Sequence, residues 1–247
     1  MEKRRFTTVF FLVLLMSLSV FLHFVRLSYP DSVVFDEQWY AGSAASYFSH
    51  KYYFDVHPPL GKLLIAGSGY IFGFNDPTGN NFNFKFGKQY PSINTYLPFR
   101  FLPAILGSLI PILGWLIIKE AGGSKRSSFL VAIFLLFDNA LLLESRLILL
   151  EIILVFFSLL SVFLYLKFRK QKRYSRKWFF YLILLGFSLG SAISVKWTGL
   201  VILIIIAFLE TLRLDEEHTE EKKKLLKFLV ARKKQIGLFL LATIILP

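Results

Sequence analysis

Between Phe6 and Val25 the chain contains no Lys, Arg, Asp or Glu. A helix of that length, rising about 1.5 Å per residue, matches the roughly 30 Å hydrocarbon core of a bilayer. The run follows a basic start, Lys3-Arg4-Arg5, and no small-residue cleavage site precedes Arg26. It therefore reads as a retained membrane helix, not a signal peptide. Further apolar runs cover 101–118, 127–143, 147–166, 178–195 and 197–209, with an incomplete one at 236–247. An open chain crosses lipid only as helix, because every backbone polar group there needs an internal partner. The expected fold is an all-α polytopic membrane protein. The stretch 178–209 is too long for one span, so a break is placed at 194–198, with Lys196 and Trp197 at the outer interface. The last run is too short to cross, so the sequence is read as truncated.

The charges set the orientation. Most of the 29 Lys and Arg residues fall in blocks at 3–5, 119–126, 167–177 and 213–234. Basic blocks mark cytoplasmic loops, which leaves the long segment 27–98 outside. A net charge of +13 does not indicate nucleic acid, because no soluble basic domain carries it. Residues 215–234 mix charges with Leu225, Leu226, Phe228 and Leu229 and read as an amphipathic helix on the cytoplasmic surface. The lack of Cys removes disulfides and thiolate metal sites.

The outer loop carries the polar chemistry, and loops of this length are commonly functional. It opens with Phe35-Asp36-Glu37 ahead of an apparent helix. Asp36 suits a helix cap and Glu37 suits the positive helix end; a catalytic carboxylate is the second reading of each. Next comes Phe54-Asp55-Val56-His57-Pro58-Pro59-Leu60-Gly61-Lys62, whose prolines suit an extended entry into a helix. That helix has apolar residues at helical spacing, as for a helix lying on the outer leaflet. The loop ends with Gly79-Asn80 and Phe82 to Phe84, Tyr90-Pro91, and Arg100 at the start of the second span. Arg100 fits either snorkelling or a phosphate.

This ordered set resembles the protein O-mannosyltransferase family. The resemblance continues through Asp138-Asn139-Ala140-Leu141-Leu142, Ser145-Arg146, Leu149-Leu150-Glu151 and Lys196-Trp197-Thr198-Gly199. It covers nearly the whole chain. His57 before the two prolines favours this family over other lipid-phosphate glycosyltransferases, which more often have Lys there. The resemblance implies the N-terminal part of a multi-span lipid-phosphate-sugar glycosyltransferase of GT-C-like fold. It implies a polyprenyl (dolichyl) phosphate mannose donor and Ser or Thr acceptors on exported proteins. It makes Asp36 and Glu37 catalytic and Arg100 essential. His57, Arg146 and Lys62 join Arg100 as candidates for the donor phosphate and substrate. Glu144 departs from the amide residue expected before Ser145-Arg146. The family pairs its members, so a homo- or heterodimer is expected. So is a multi-pass location with an outward site, in a prokaryotic plasma membrane or the endoplasmic reticulum.

The chemistry agrees with that resemblance. A sugar phosphate already has a good leaving group, so the acceptor hydroxyl needs only a general base. Asp36 is assigned that role, with Glu37 orienting it or holding the acceptor, and inversion at the sugar carbon follows. A cation must stabilise the departing phosphate. Arg146 has Asp138 as its expected partner, since Glu151 lies on another helix face. No cofactor is required. A divalent ion at the acidic pair is not indicated, though nothing forbids one. The competing readings are a transporter, which would not need the acidic outer loop, a different lipid-linked sugar transferase, and an inactive membrane fragment.

Overall fold

The computed structural model describes residues 2–50, 52, 54–75, 84–216 and 237. Its helices are α1 (Glu2–Phe24), α2 (Glu37–Phe48), α3 (Leu60–Ile71), α4 (Leu97–Glu120), α5 (Lys125–Leu136), α6 (Asn139–Glu144), α7 (Glu151–Phe168), α8 (Arg176–Val195) and α9 (Leu200–Glu216). Three-residue 3-10 turns lie at Ile93–Thr95 and Trp197–Gly199. Among the described residues there is no strand, only an isolated antiparallel bridge between Ser32 and Gln89. The fold is all-α, and the chain is a membrane protein. Helices α4, α7 and α8 are long and apolar enough to cross a bilayer, and Thr8–Phe24 within α1 is a shorter apolar helix.

Several boundaries differ from the apolar runs. The run 127–143 is two helices. α5 stops at Leu136, and Asp138 starts α6 by accepting from Leu141 N–H at 2.9 Å. A short acidic side chain competes for backbone donors in this way and ends one helix while opening the next. α7 begins at Glu151, not Leu147, because 145–150 is irregular chain used elsewhere. α8 ends at Val195, and α9 continues past Leu209 to Glu216. The expected surface helix over 215–234 lies outside the described residues after Glu216. The run 236–247 does too, except Gly237, as does the Gly79-Asn80 segment.

α4 is the centre of the bundle, packing against α1, α3, α5 and α7, while α8 packs on α7. Between lipid-facing helices, tight contact replaces the hydrophobic drive, and small residues permit it. At Gly107 in α4, an added Cβ would sit 2.5 Å from Ser145 Cβ and 2.8 Å from His23 Cδ2. Beside it, Ser19 Oγ donates to the Ser108 carbonyl at 2.8 Å, and His23 Nδ1 lies 2.8 Å from the Ser19 carbonyl. The outer loop is part of the same core. Ala41, Ala44 and Ala45 of α2 and Ile65 of α3 are buried with Phe99 of α4, Ile148 and Leu150. The described part of the loop is thus a packed layer over one end of the bundle.

Candidate active site

Phe35, with φ 54°, turns the chain sharply into α2, so Asp36 and Glu37 stand at its first turn. The two neighbours then meet opposite surroundings. Glu37 is fully buried and surrounded by donors. Its Oε1 accepts from Arg100 Nε at 3.0 Å and from the Ile148 N–H at 3.0 Å. Its Oε2 accepts from Arg100 Nη2 at 3.1 Å, the Tyr90 hydroxyl at 3.2 Å and the Val34 N–H at 3.0 Å. Arg100 is equally buried, and its Nη1 donates to the Leu27 and Pro30 carbonyls at 3.2 and 2.8 Å. Tyr96 covers the guanidinium at 4.7 Å and stacks on Tyr90. Burial, then the Glu37 charge, raises the Tyr90 phenol, so it stays a donor.

This arrangement changes two expectations. Glu37 has no oxygen left over to orient Asp36 or hold an acceptor. Arg100 presents no surface to a donor phosphate; its guanidinium serves a buried ion pair. Asp36 differs: it is half-buried, and its side chain makes no cap hydrogen bond to α2 and has no partner among the described residues. Capping, the alternative reading for Asp36, is therefore not what its side chain does.

The second motif is an internally braced loop. Lys62 Nζ donates to Asp55 Oδ2 at 2.8 Å and to the His57 carbonyl at 2.9 Å, while the His57 N–H reaches Asp55 Oδ1 at 3.4 Å. Lys62 is nearly buried and is committed to shaping the loop. Burial alone would raise the Asp55 carboxyl, but the Lys62 hydrogen bond and charge, with backbone donors, hold it below the ordinary value. Trp197 Nε1 donates to the Val56 carbonyl at 2.9 Å, tying the loop to the end of α8. His57 Nδ1 is buried with no partner among the described residues.

Arg146 does not pair with Asp138. Its Nη2 donates to the Val25 and Arg26 carbonyls at 2.6 and 2.9 Å, satisfying the end of α1, and its Nε is buried without a partner among the described residues. Glu151 pairs with Lys196 at 2.5 Å, and its Oε2 is buried with no partner among the described residues. Tyr40 is buried with its ring 6.3 Å from His57, and burial followed by the charges of Glu151, Asp36 and Asp55 raises its phenol. The sequence marks Glu151 and Lys196 only as motif and interface positions, and it assigns neither them nor Tyr40 to the site. A lysine inside a nearly unbroken apolar stretch was the signal that pointed to Lys196. Among the described residues no three His, Cys, Asp or Glu converge as a metal site.

Comparisons with known proteins give one consistent result. The family model described as "Dolichyl-phosphate-mannose-protein mannosyltransferase" matches residues 13–244. Dolichyl-phosphate-mannose–protein mannosyltransferase 2 of Candida albicans is 34% identical over 194 residues, covering 77% of this chain and 25% of that protein. Mouse protein O-mannosyl-transferase 1 is 34% identical over 229 residues, covering 90% and 30%. In solved structures, a chain of the Saccharomyces cerevisiae protein O-mannosyltransferase Pmt1-Pmt2 complex bound to the sugar donor superposes with a TM-score of 0.79. It is 33% identical over 94% of this chain and 32% of that one. The chain thus spans about a quarter to a third of the length of these relatives.

Proposed function

The chain belongs to the dolichyl-phosphate-mannose–protein mannosyltransferase family, and from that premise we propose that the protein transfers mannose from polyprenyl (dolichyl) phosphate to Ser and Thr hydroxyls of exported proteins. The observation that carries the mechanism is the contrast within the acidic pair: Glu37 is fully engaged by structural donors, and Asp36 is half-buried with its carboxylate unengaged among the described residues. Asp36 is the general base. It takes the acceptor's hydroxyl proton as oxygen attacks the anomeric carbon, and the lipid phosphate leaves from the opposite face, so the sugar carbon inverts. Glu37 and Arg100 are positioning residues that fix the first turn of α2. Arg146, with its unpartnered Nε, is the guanidinium that remains to meet donor phosphate charge. The site faces the outside or lumen, and pairing with a second family chain belongs to the same proposal; the solved relative is itself a Pmt1-Pmt2 complex.

The test is Asp36→Asn in the full-length protein, following mannose transfer to a Ser/Thr-rich peptide. Asn keeps the size and accepts no proton, so kcat should fall about 10²- to 10⁴-fold. A fully active, correctly folded Asp36→Asn protein would sink this mechanism.

A further inference from the structure

Three polar groups from three different elements have no hydrogen-bond partner among the described residues. Glu151 Oε2, at the start of α7, and His57 Nδ1, in the braced loop, are both buried and unbonded among the described residues. The Tyr40 hydroxyl, from α2, also has no hydrogen-bond partner among the described residues, and its ring lies 6.3 Å from that of His57. Buried polar groups in folded proteins are nearly always bonded, so the two exceptions at Glu151 Oε2 and His57 Nδ1, with an unbonded phenol beside His57, call for an explanation. Loose packing does not supply one. Lys62 and Asp55 fix the His57 backbone, and Trp197 fixes Val56 to the end of α8. Lys196 fixes the other Glu151 oxygen. A Cβ on Gly61 would meet Leu150 at 2.7 Å and Val195 at 3.2 Å, so α3 lies directly against the chain entering α7 and the end of α8 here.

The surrounding charge selects the ligand chemistry. Tyr40 feels Glu151, Asp36 and Asp55, and Glu144 lies within reach of Glu151 and Lys196. Against these four carboxylates stand the ammonium groups of Lys62 and Lys196, each already paired. The cluster is net negative, which disfavours a bare anion and favours a neutral ligand rich in hydroxyl donors. A carboxylate oxygen accepts two such hydroxyls, a phenol both donates and accepts, and an imidazole nitrogen does either by tautomer.

We infer that Glu151, His57 and Tyr40 form the subsite that binds the hydroxyls of the donor's hexose. The inference rests on the lipid-phosphate hexose reading above and assigns it a specificity determinant beyond the acidic pair. Glu151 grips the sugar through Oε2 while Lys196 holds Oε1, and the Tyr40 and His57 groups bond further ring hydroxyls.

The full-length protein would be assayed with polyprenyl-phosphate mannose and polyprenyl-phosphate glucose, which differ in one hydroxyl configuration. Glu151→Gln and Tyr40→Phe should each raise KM for the preferred donor and shrink the preference between the hexoses, about tenfold or more for Glu151→Gln. Asp36→Asn should lower kcat on both donors and leave the preference unchanged. Tyr40→Phe removes one oxygen from a ring that keeps its packing, so it reports even if Glu151→Gln does not fold. A preference unchanged in every folded variant of the two overturns the subsite, whatever happens to rate. A wild type that prefers another hexose overturns the mannose reading alone, and the preference is then read with that hexose. A wild type inactive with every hexose lipid overturns both.

Discussion

Glu37 and Arg100 form an ion pair with both side chains at 0% exposure. Such a pair gains little over an apolar substitute, but removing one partner strands the other as a buried charge, at a cost of about 3–5 kcal/mol. Glu37→Gln is therefore expected to fail in folding, with a lowered unfolding midpoint in detergent, where Asp36→Asn keeps its midpoint. Arg100→Lys keeps the charge but loses the planar fork that serves Glu37 and two carbonyls together. It should destabilise by about 2 kcal/mol or more. An Arg100→Lys protein with wild-type stability would contradict the structural role. The Asp55–Lys62 pair sets a pH dependence. Because the Asp55 carboxyl is held below its ordinary 3.8, its stabilisation is complete well above that value. It declines as pH falls below 3.8 and is lost on passing the lowered folded value. Thermal unfolding across that acid range should show a steeper decline for the wild type than for Asp55→Asn.

At the scale of elements, two glycines make opposite predictions. Gly107 sits where a methyl would collide with Ser145 and His23, whereas a Cβ on Gly67 in α3 meets nothing within 4 Å. Gly107→Ala should cost about 1–3 kcal/mol by overpacking. Gly67→Ala should be neutral or gain up to about 1 kcal/mol from helix propensity. Paired unfolding measurements decide, and equal effects would contradict the close approach of α1 to α4. The helices themselves were legible because lipid imposes a long apolar signature. Their interruptions were not. Asp138 restarts a helix inside an apolar run, and 145–150 leaves helical geometry so that the Ile148 N–H can reach Glu37. Neither event alters hydropathy. In the site, Asp36 and Glu37 were visible as an adjacent pair, but adjacency could not show that one is buried on Arg100 and the other is not. That difference comes from a contact between residues 63 positions apart. Lys62 looked like a substrate ligand for the same reason, because its partner Asp55 is fixed only when the loop folds back.

For the whole molecule, the orientation read from basic blocks has a direct test. If that orientation holds, Phe86→Cys in the exposed 85–89 segment should react with an impermeant thiol reagent in intact cells, or in sealed vesicles of the matching orientation. Lys172→Cys, in the basic link between α7 and α8, should react only after permeabilisation. The opposite pattern would invert the site and remove it from its proposed acceptors. The grip on Glu37 also has a consequence that reaches beyond any single molecule. One carboxylate receives donors from the turn before α2, from Tyr90, from α4 and from the chain ahead of α7. A lineage that lost the acid at 37 would keep a stranded cation at 100, and one that lost the cation first would keep a stranded anion. Neither half-way ancestor is easily tolerated, so in a deep alignment these two columns should change together or not at all, while column 36 should answer to a different pressure.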